Sequence, residues 1–275
     1  MEFLTKEKAS KWEVHSYSSL AEMLRYLEKN ESTKTNQFNS HETNPYRTEW
    51  TKSANFEEAL EVIRTGNAEI MAGLKKAVKI EVDNLAKELM SEPESYVNDV
   101  CGLFFDIAKV IEGEPEAWLR EPWDKQKKPR ISIPIMGNYG SGFDSNKAIA
   151  NASKIIALVK ALEDAGVEVE LTMFFGAEGM SNGGKKRHGA TDIMVKNFDE
   201  SFNWKKLSAM LHPSFFRRVI FRERELLFPK TLSGGYGGTP YPSDWFVGGK
   251  GMLEIGDAKS IERFKEATLG MLQGK

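Results

Sequence analysis

The chain has 275 residues, 40% hydrophobic and 28% charged, with a net charge of −2; that suffices for one large domain or two modest ones and is less basic than is usual for a protein that lives on DNA. No run approaches the ~18 apolar residues of a membrane span, and the opening MEFLTKEKASKWEV lacks an apolar signal core. A single cysteine, Cys101, excludes an intrachain disulfide and a multi-thiolate zinc site, so a cytoplasmic protein with a buried core thiol is expected.

Residues 16–29, SYSSLAEMLRYLEK, are predicted helical, with Leu20, Met23, Leu24 and Leu27 at helical spacing behind capping serines. A polar loop rich in Asn and Thr follows at 30–52. SANFEEALEVIRTGN reads as a helix capped by Ser53 or Asn55 and stopped at Gly66. Helical patterns continue over 70–90, and DVCGLFFDIAKVIEGEPEAWL gives a short helix or strand–helix. Residues 1–120 are therefore expected to form a mostly helical region.

The pattern changes over 121–275. ISIPIM (131–136) is a predicted strand in which Pro134 signals an edge or a bulge. A long helix ending at Gly166 and the strand VEVELTMFF complete a βαβ unit with parallel strands. ATDIMVKNF (190–198) is a third strand. DESFNWKKLSAMLHPSFFRRVIFREREL reads as two helices broken at Pro213, GMLEIGD (251–257) as a fourth strand, and AKSIERFKEATLGMLQ as a closing helix. Alternating strands and helices predict an α/β fold, a mainly parallel, doubly wound sheet.

Between the first of these strands and its helix lies GNYGSGFDSN, with Gly137, Gly140 and Gly142. Its one lysine, Lys147, is followed by alanine, so the P-loop requirement fails. The glycines sit at first, fourth and sixth positions, not the first, third and sixth of a dinucleotide fingerprint. The loop is similar to the Asp-x-Ser-x-Ser metal loop of von Willebrand A-type domains, whose oxygens suit a hard divalent cation. Asn138 replaces the carboxylate there, which removes the main electrostatic attraction and leaves Asn138, Ser141 and Asp144 as vestigial candidates. In the remaining reading Gly137 and Gly140 use positive φ to turn the chain, Asp144 or Ser145 caps the helix, and the crest offers a recognition edge.

No catalytic set is evident. His15, His41, His188 and His212 form no metal pair, no nucleophile elbow occurs, and Asp257 reads as a cap. The expectation is a non-enzyme without cofactor. Positive charge concentrates in DKQKKPR, KKRH and RRVIFRERE. Lys127, Lys128, Arg130, Lys185, Lys186, Arg187, Arg217 and Arg218, with the rings of Trp123, Tyr139, Tyr236, Tyr241 and Trp245, form a candidate groove for single-stranded nucleic acid.

The SYSSLAEMLRYL, NFEEALEVIRTGN and ALEDAGVEVEL segments, the Gly-x-Pro-Glu turn and LHPSFFRRVIFRERE resemble a group of uncharacterised bacteriophage and prophage proteins that carry a domain of unknown function. The second half is similar to a degenerate von Willebrand A-type domain, and more faintly to single-stranded-DNA-binding transcription accessory proteins of lytic podoviruses. The resemblance implies a non-catalytic phage accessory protein in the host cytoplasm that binds single-stranded nucleic acid in transcription or replication. The alternative is an adaptor that meets a host or phage protein, such as a polymerase, at the sheet crest.

Overall fold

The computed structural model describes residues 12–30, 45–74, 76–77, 97–99, 104–105, 109, 111, 118–120, 129–182, 185–227 and 252–272. In chain order the elements are β1 (Trp12–Tyr17), α1 (Leu20–Lys29), α2 (Pro45–Thr51), α3 (Phe56–Thr65), β2 (Val97–Asp99), β3 (Phe104–Phe105) and β4 (Trp118–Arg120). They continue with β5 (Arg130–Met136), α4 (Ser145–Asp164), β6 (Glu168–Asn182), β7 (Lys185–Lys196) and α5 (Trp204–Leu211). A π-helical segment (Phe215–Ile220) runs into α6 (Phe221–Leu227), followed by β8 (Leu253–Glu254) and α7 (Ala258–Leu272).

The protein is an α/β fold around a five-stranded mixed sheet of order β1-β7-β6-β5-β8. All its pairings are parallel except that of β6 with β7. A small antiparallel sheet of order β2-β4-β3 stands apart in sequence. Strand alternation sets the core. Ile133, Ile135, Val169, Leu171, Met173, Phe175, Ile193 and Val195 share one face, where α1, α4, α5, the π-helical segment and α7 join them in one hydrophobic cluster. The described helices of that cluster lie on this face; on the opposite face Met136 and Phe174 are also buried. The other face carries cross-strand polar pairs: Ser132 Oγ donates to Glu170 Oε1 (2.9 Å) and Ser16 Oγ to Asp192 Oδ1 (2.5 Å).

Several expectations hold locally. Asn55 caps α3, accepting from the Glu58 N–H at 2.8 Å, and Gly66 ends it with φ of 81°. Asp144 caps α4, accepting from the Lys147 N–H at 2.9 Å. β8 pairs with β5 only at Ile135 and Met136, so Pro134 has no described strand on that side.

Two expectations change. The helix expected from Ser16 begins at Leu20, behind Ser19 as N-cap, and WEVHSY before it is a strand of the main sheet. Ser18 and Ser19 mark the switch. Ser18 donates its N–H (2.7 Å) and hydroxyl (2.6 Å) to the Glu22 carboxylate, which holds that carboxyl below its ordinary pKa. The N-terminal region therefore contributes a strand and helix to the same sheet and core as residues beyond 130.

The third strand also starts earlier than expected, at Lys185. β5 ends where Met136 meets Phe174, whereas β6 continues to Asn182. β1 accompanies the ribbon as far as Trp12 opposite His188. Beyond that point the pairs Met180–Arg187, Ser181–Lys186 and Asn182–Lys185 have no further described neighbour strand. Three residue pairs extend the ribbon by roughly 10 Å.

Candidate functional site

The C-terminal ends of β5 and β8 and the Gly176 region of β6 meet at the glycine loop. Asn138 is buried, and both ends of its amide are committed to Gly176: Nδ2 donates to the Gly176 carbonyl (3.1 Å) and Oδ1 accepts the Gly176 N–H (3.0 Å). Asp144 is engaged in capping α4, and Ser141 is exposed, with its carbonyl accepting from Trp50 Nε1 at 2.9 Å. The three vestigial candidates thus serve the backbone. No group of three His, Cys, Asp or Glu side chains able to hold a metal occurs among the described residues.

The loop glycines differ from the sequence reading. The described glycines with positive φ are Gly66 and Gly166, so Gly137 and Gly140 do not turn the chain that way. A Cβ on Gly140 or Gly142 would meet nothing within 4 Å. G140A and G142A should each change stability by less than about 0.5 kcal/mol in urea titrations; a larger loss would show that those positions carry hidden packing.

The charge at the crest comes from Arg217. Its side chain is fully buried, its guanidinium 4.2 Å from the Trp50 ring centroid and 4.8 Å from that of Tyr139. It donates to the Trp50 carbonyl, to Ser145 Oγ (2.7 Å) and to the Phe143 carbonyl (2.9 Å). Burial draws its pKa down from the ordinary arginine value and raises that of Tyr139. Arg218 is also buried and donates to the carbonyls of Ser53 and Ala54, each at 3.1 Å. Arg224 donates to the Gly176 carbonyl at 3.0 Å.

This corrects part of the expected groove. Arg217, Arg218 and Tyr139 are interior groups; the two arginines donate to carbonyls at the C-terminal end of α2 and just beyond it, Trp50, Ser53 and Ala54, which lack intrahelical donors. The whole run Phe215–Glu225 is buried, although charged runs usually face solvent. Trp50 was hidden in the predicted polar loop; a lone tryptophan among Asn and Thr was the available signal.

Of the other expected contacts, Lys185, Lys186 and Arg187 lie together on the β6–β7 ribbon, on the residues that outrun the neighbouring strands. Arg130 sits at the opposite end of β5, paired with Glu168 (2.7 Å) and 5.3 Å from the Phe198 ring. The structure does not bring it to the hairpin. Lys127, Lys128, Trp123, Tyr236, Tyr241, Trp245 and Cys101 lie outside the described residues.

A second buried polar centre escaped the sequence reading. Glu223 is fully buried on α6, accepts from Thr191 Oγ1 at 2.6 Å and faces Tyr17. Burial raises its pKa to about 7, against the opposing hydrogen bond from Thr191 and the charge of Arg224. His212 is buried between α5 and the π-helical segment, its Nδ1 2.7 Å from Ser214 Oγ, and burial lowers its pKa to about 4. At the β1 edge a cavity of about 390 Å³ is lined by Ser16, Tyr17, Ser18, Glu22, Thr172, Asp192 and Met194. Burial there raises the Asp192 pKa despite the Ser16 hydrogen bond.

A family model described as a domain of unknown function (DUF7192) matches residues 5–266. Its description names neither a phage origin nor a von Willebrand A-type fold. No curated protein and no solved structure matches the chain. No described helix is long and apolar enough to cross a membrane.

Proposed function

The chain belongs to the DUF7192 family, and from that premise we propose that it is a non-catalytic accessory protein that binds single-stranded nucleic acid, in a phage-type transcription or replication setting. One observation supports this reading above the rest: the β6–β7 ribbon runs past its described neighbour strands and carries Lys185, Lys186 and Arg187 there in sequence. Three adjacent cations on a projecting ribbon suit a phosphate backbone, whose neutralisation releases counterions. The footprint proposed is narrower than the sequence reading, because Arg217, Arg218 and Tyr139 are interior. The rings of Tyr236, Tyr241 and Trp245 remain the proposed stacking partners, and Lys127 and Lys128 additional phosphate contacts. A von Willebrand A-like kinship fits the parallel β5, β6 and β8 with a crossover helix and a glycine loop at the crest.

An oligonucleotide gel shift tests the proposal. Affinity should fall steeply with salt, and K185E/K186E/R187E should abolish the shift at moderate salt. Neutral glutamine replacements should instead reduce the salt slope by about 2, at ~0.7 per lost contact on a single strand. Absence of binding at low salt would remove the reading.

The adaptor alternative was expected at the loops of the sheet crest; a different feature offers it a second place. The cavity at the β1 edge offers two carboxylates and several hydroxyls with no basic residue among its described lining, which suits a basic side chain of an extended peptide. Recovery of one stoichiometric partner, lost in D192N, would favour it.

A further inference from the structure

Arg217 is an unusual interior charge. Its hydrogen-bond partners are three neutral oxygens, and its Nε is buried with no acceptor. One of those oxygens belongs to Ser145, the first residue of the 20-residue helix α4. A guanidinium therefore abuts the positive end of a long helix dipole, an arrangement that calls for an anion. Asp144 acts on Arg217 electrostatically, but one of its oxygens is held by the Lys147 N–H.

The last two residues of α2 and the three that follow, Trp50–Ala54, close this place as a strap. Its carbonyls take the donors of Arg217 and Arg218, the Trp50 carbonyl also accepts from Ser145 Oγ at 2.7 Å, and Trp50 Nε1 pins the strap to the glycine loop. Within it Lys52 has φ of 58°, the left-handed region, alone among the described non-glycine residues. That conformation disfavours any side chain with a Cβ. Carbonyl oxygens are the weaker ligands here: an ionised phosphoryl oxygen adds ion-pair attraction and a bidentate fit to bonds that the guanidinium already charge-assists.

We propose that the crest is a covered phosphate site: a phosphoryl group displaces the Trp50–Ala54 strap and takes its oxygens' place on Arg217, Arg218 and Ser145 at the N-terminus of α4. The planar fork of Arg217 matches two phosphoryl oxygens, and the open space at Gly140 and Gly142 leaves the loop accessible from outside. The phosphoryl group belongs either to a free phosphate or nucleotide, or to a nucleic-acid strand. This site goes beyond the hairpin reading, since the ribbon cations and the crest are separate places on the sheet.

Calorimetric titration with pyrophosphate, a nucleoside monophosphate and a short oligonucleotide, at matched ionic strength, tests it together with amide exchange over residues 48–54. Pyrophosphate should bind and speed exchange in the strap. W50F keeps the ring but loses the bond to Ser141, so it should tighten binding about fivefold, equivalent to ~1 kcal/mol. R217K keeps the charge and loses the fork; it should weaken binding about tenfold. K185E/K186E/R187E should leave pyrophosphate binding unchanged. Binding of the small phosphates identifies a free ligand, and binding of the oligonucleotide alone, sensitive to R217K, identifies a strand. Indifference to R217K, or no binding by either wild type or W50F, overturns the crest site. The gel shift of the hairpin variants would then still decide the nucleic-acid reading by itself.

Discussion

Two substitutions should tilt the pH–stability profile in opposite directions. In E223Q, stability should rise with pH by about 3 kcal/mol between pH 4 and 6.5; in H212N it should fall by about 3 kcal/mol between pH 4.5 and 7. The signs follow from which state holds the proton. Glu223 has its pKa raised from 4.5 to about 7 in the fold. Its stabilising effect is complete below 4.5, where folded and unfolded chains are both protonated. It fades as the unfolded chain ionises first and is gone once pH passes about 7. His212 is a base lowered from 6.5 to about 4, so its contribution is complete above 6.5 and is lost as pH falls through 4. In the wild type the two oppose one another over most of this window, and each variant exposes the other. Glutamine can still accept the Thr191 hydroxyl, and asparagine can still face Ser214. Denaturant midpoints across that window measure the slopes. Parallel profiles for all three proteins would mean that neither group is buried as described.

The second large effect concerns Gly137. A Cβ there would run into the Phe175 ring and come within 2.9 Å of Met173 Cε. Neither neighbour has room to move. Both are buried, and Phe175 stands 5.7 Å from Phe215 and 6.0 Å from Phe216, ring to ring. G137A should therefore cost about 3 kcal/mol, the upper range for overpacking a core. G140A and G142A, in the same loop, should cost almost nothing. A urea midpoint for G137A indistinguishable from wild type would show that the aromatic stack yields. The loop's first glycine then has a packing reason for lacking a side chain, whereas the next two stand over open space.

Elements with strong local signals were legible. The α3 cap at Asn55, the α4 cap at Asp144, the stop at Gly166 and the β5-α4-β6 unit follow from spacing and turn chemistry alone. β1 was not, because its six residues run straight into serines that also begin a helix, and its pairing partner lies far along the chain. The start of β7 was hidden by the charge of Lys185, Lys186 and Arg187, which read as loop although their backbone pairs with Met180–Asn182. The site was harder still. Charged runs such as RRVIFRERE are usually solvated, and nothing local says that carbonyls of residues 50–54 will take up those guanidiniums. Only the three-dimensional juxtaposition tells Arg217, a buried donor, from Lys185, a residue of the projecting ribbon.

The pairing of β1 with β7 also governs how the chain must assemble on the ribosome. Ser16 and its hydrogen-bonded partner Asp192 are 176 positions apart. At about 5–20 residues per second, the first strand emerges and then waits on the order of 10–35 s before its template is synthesised. Throughout that interval the nascent N-terminus exposes an unsatisfied strand, and any truncation ahead of residue 185 leaves it without its native neighbour for good.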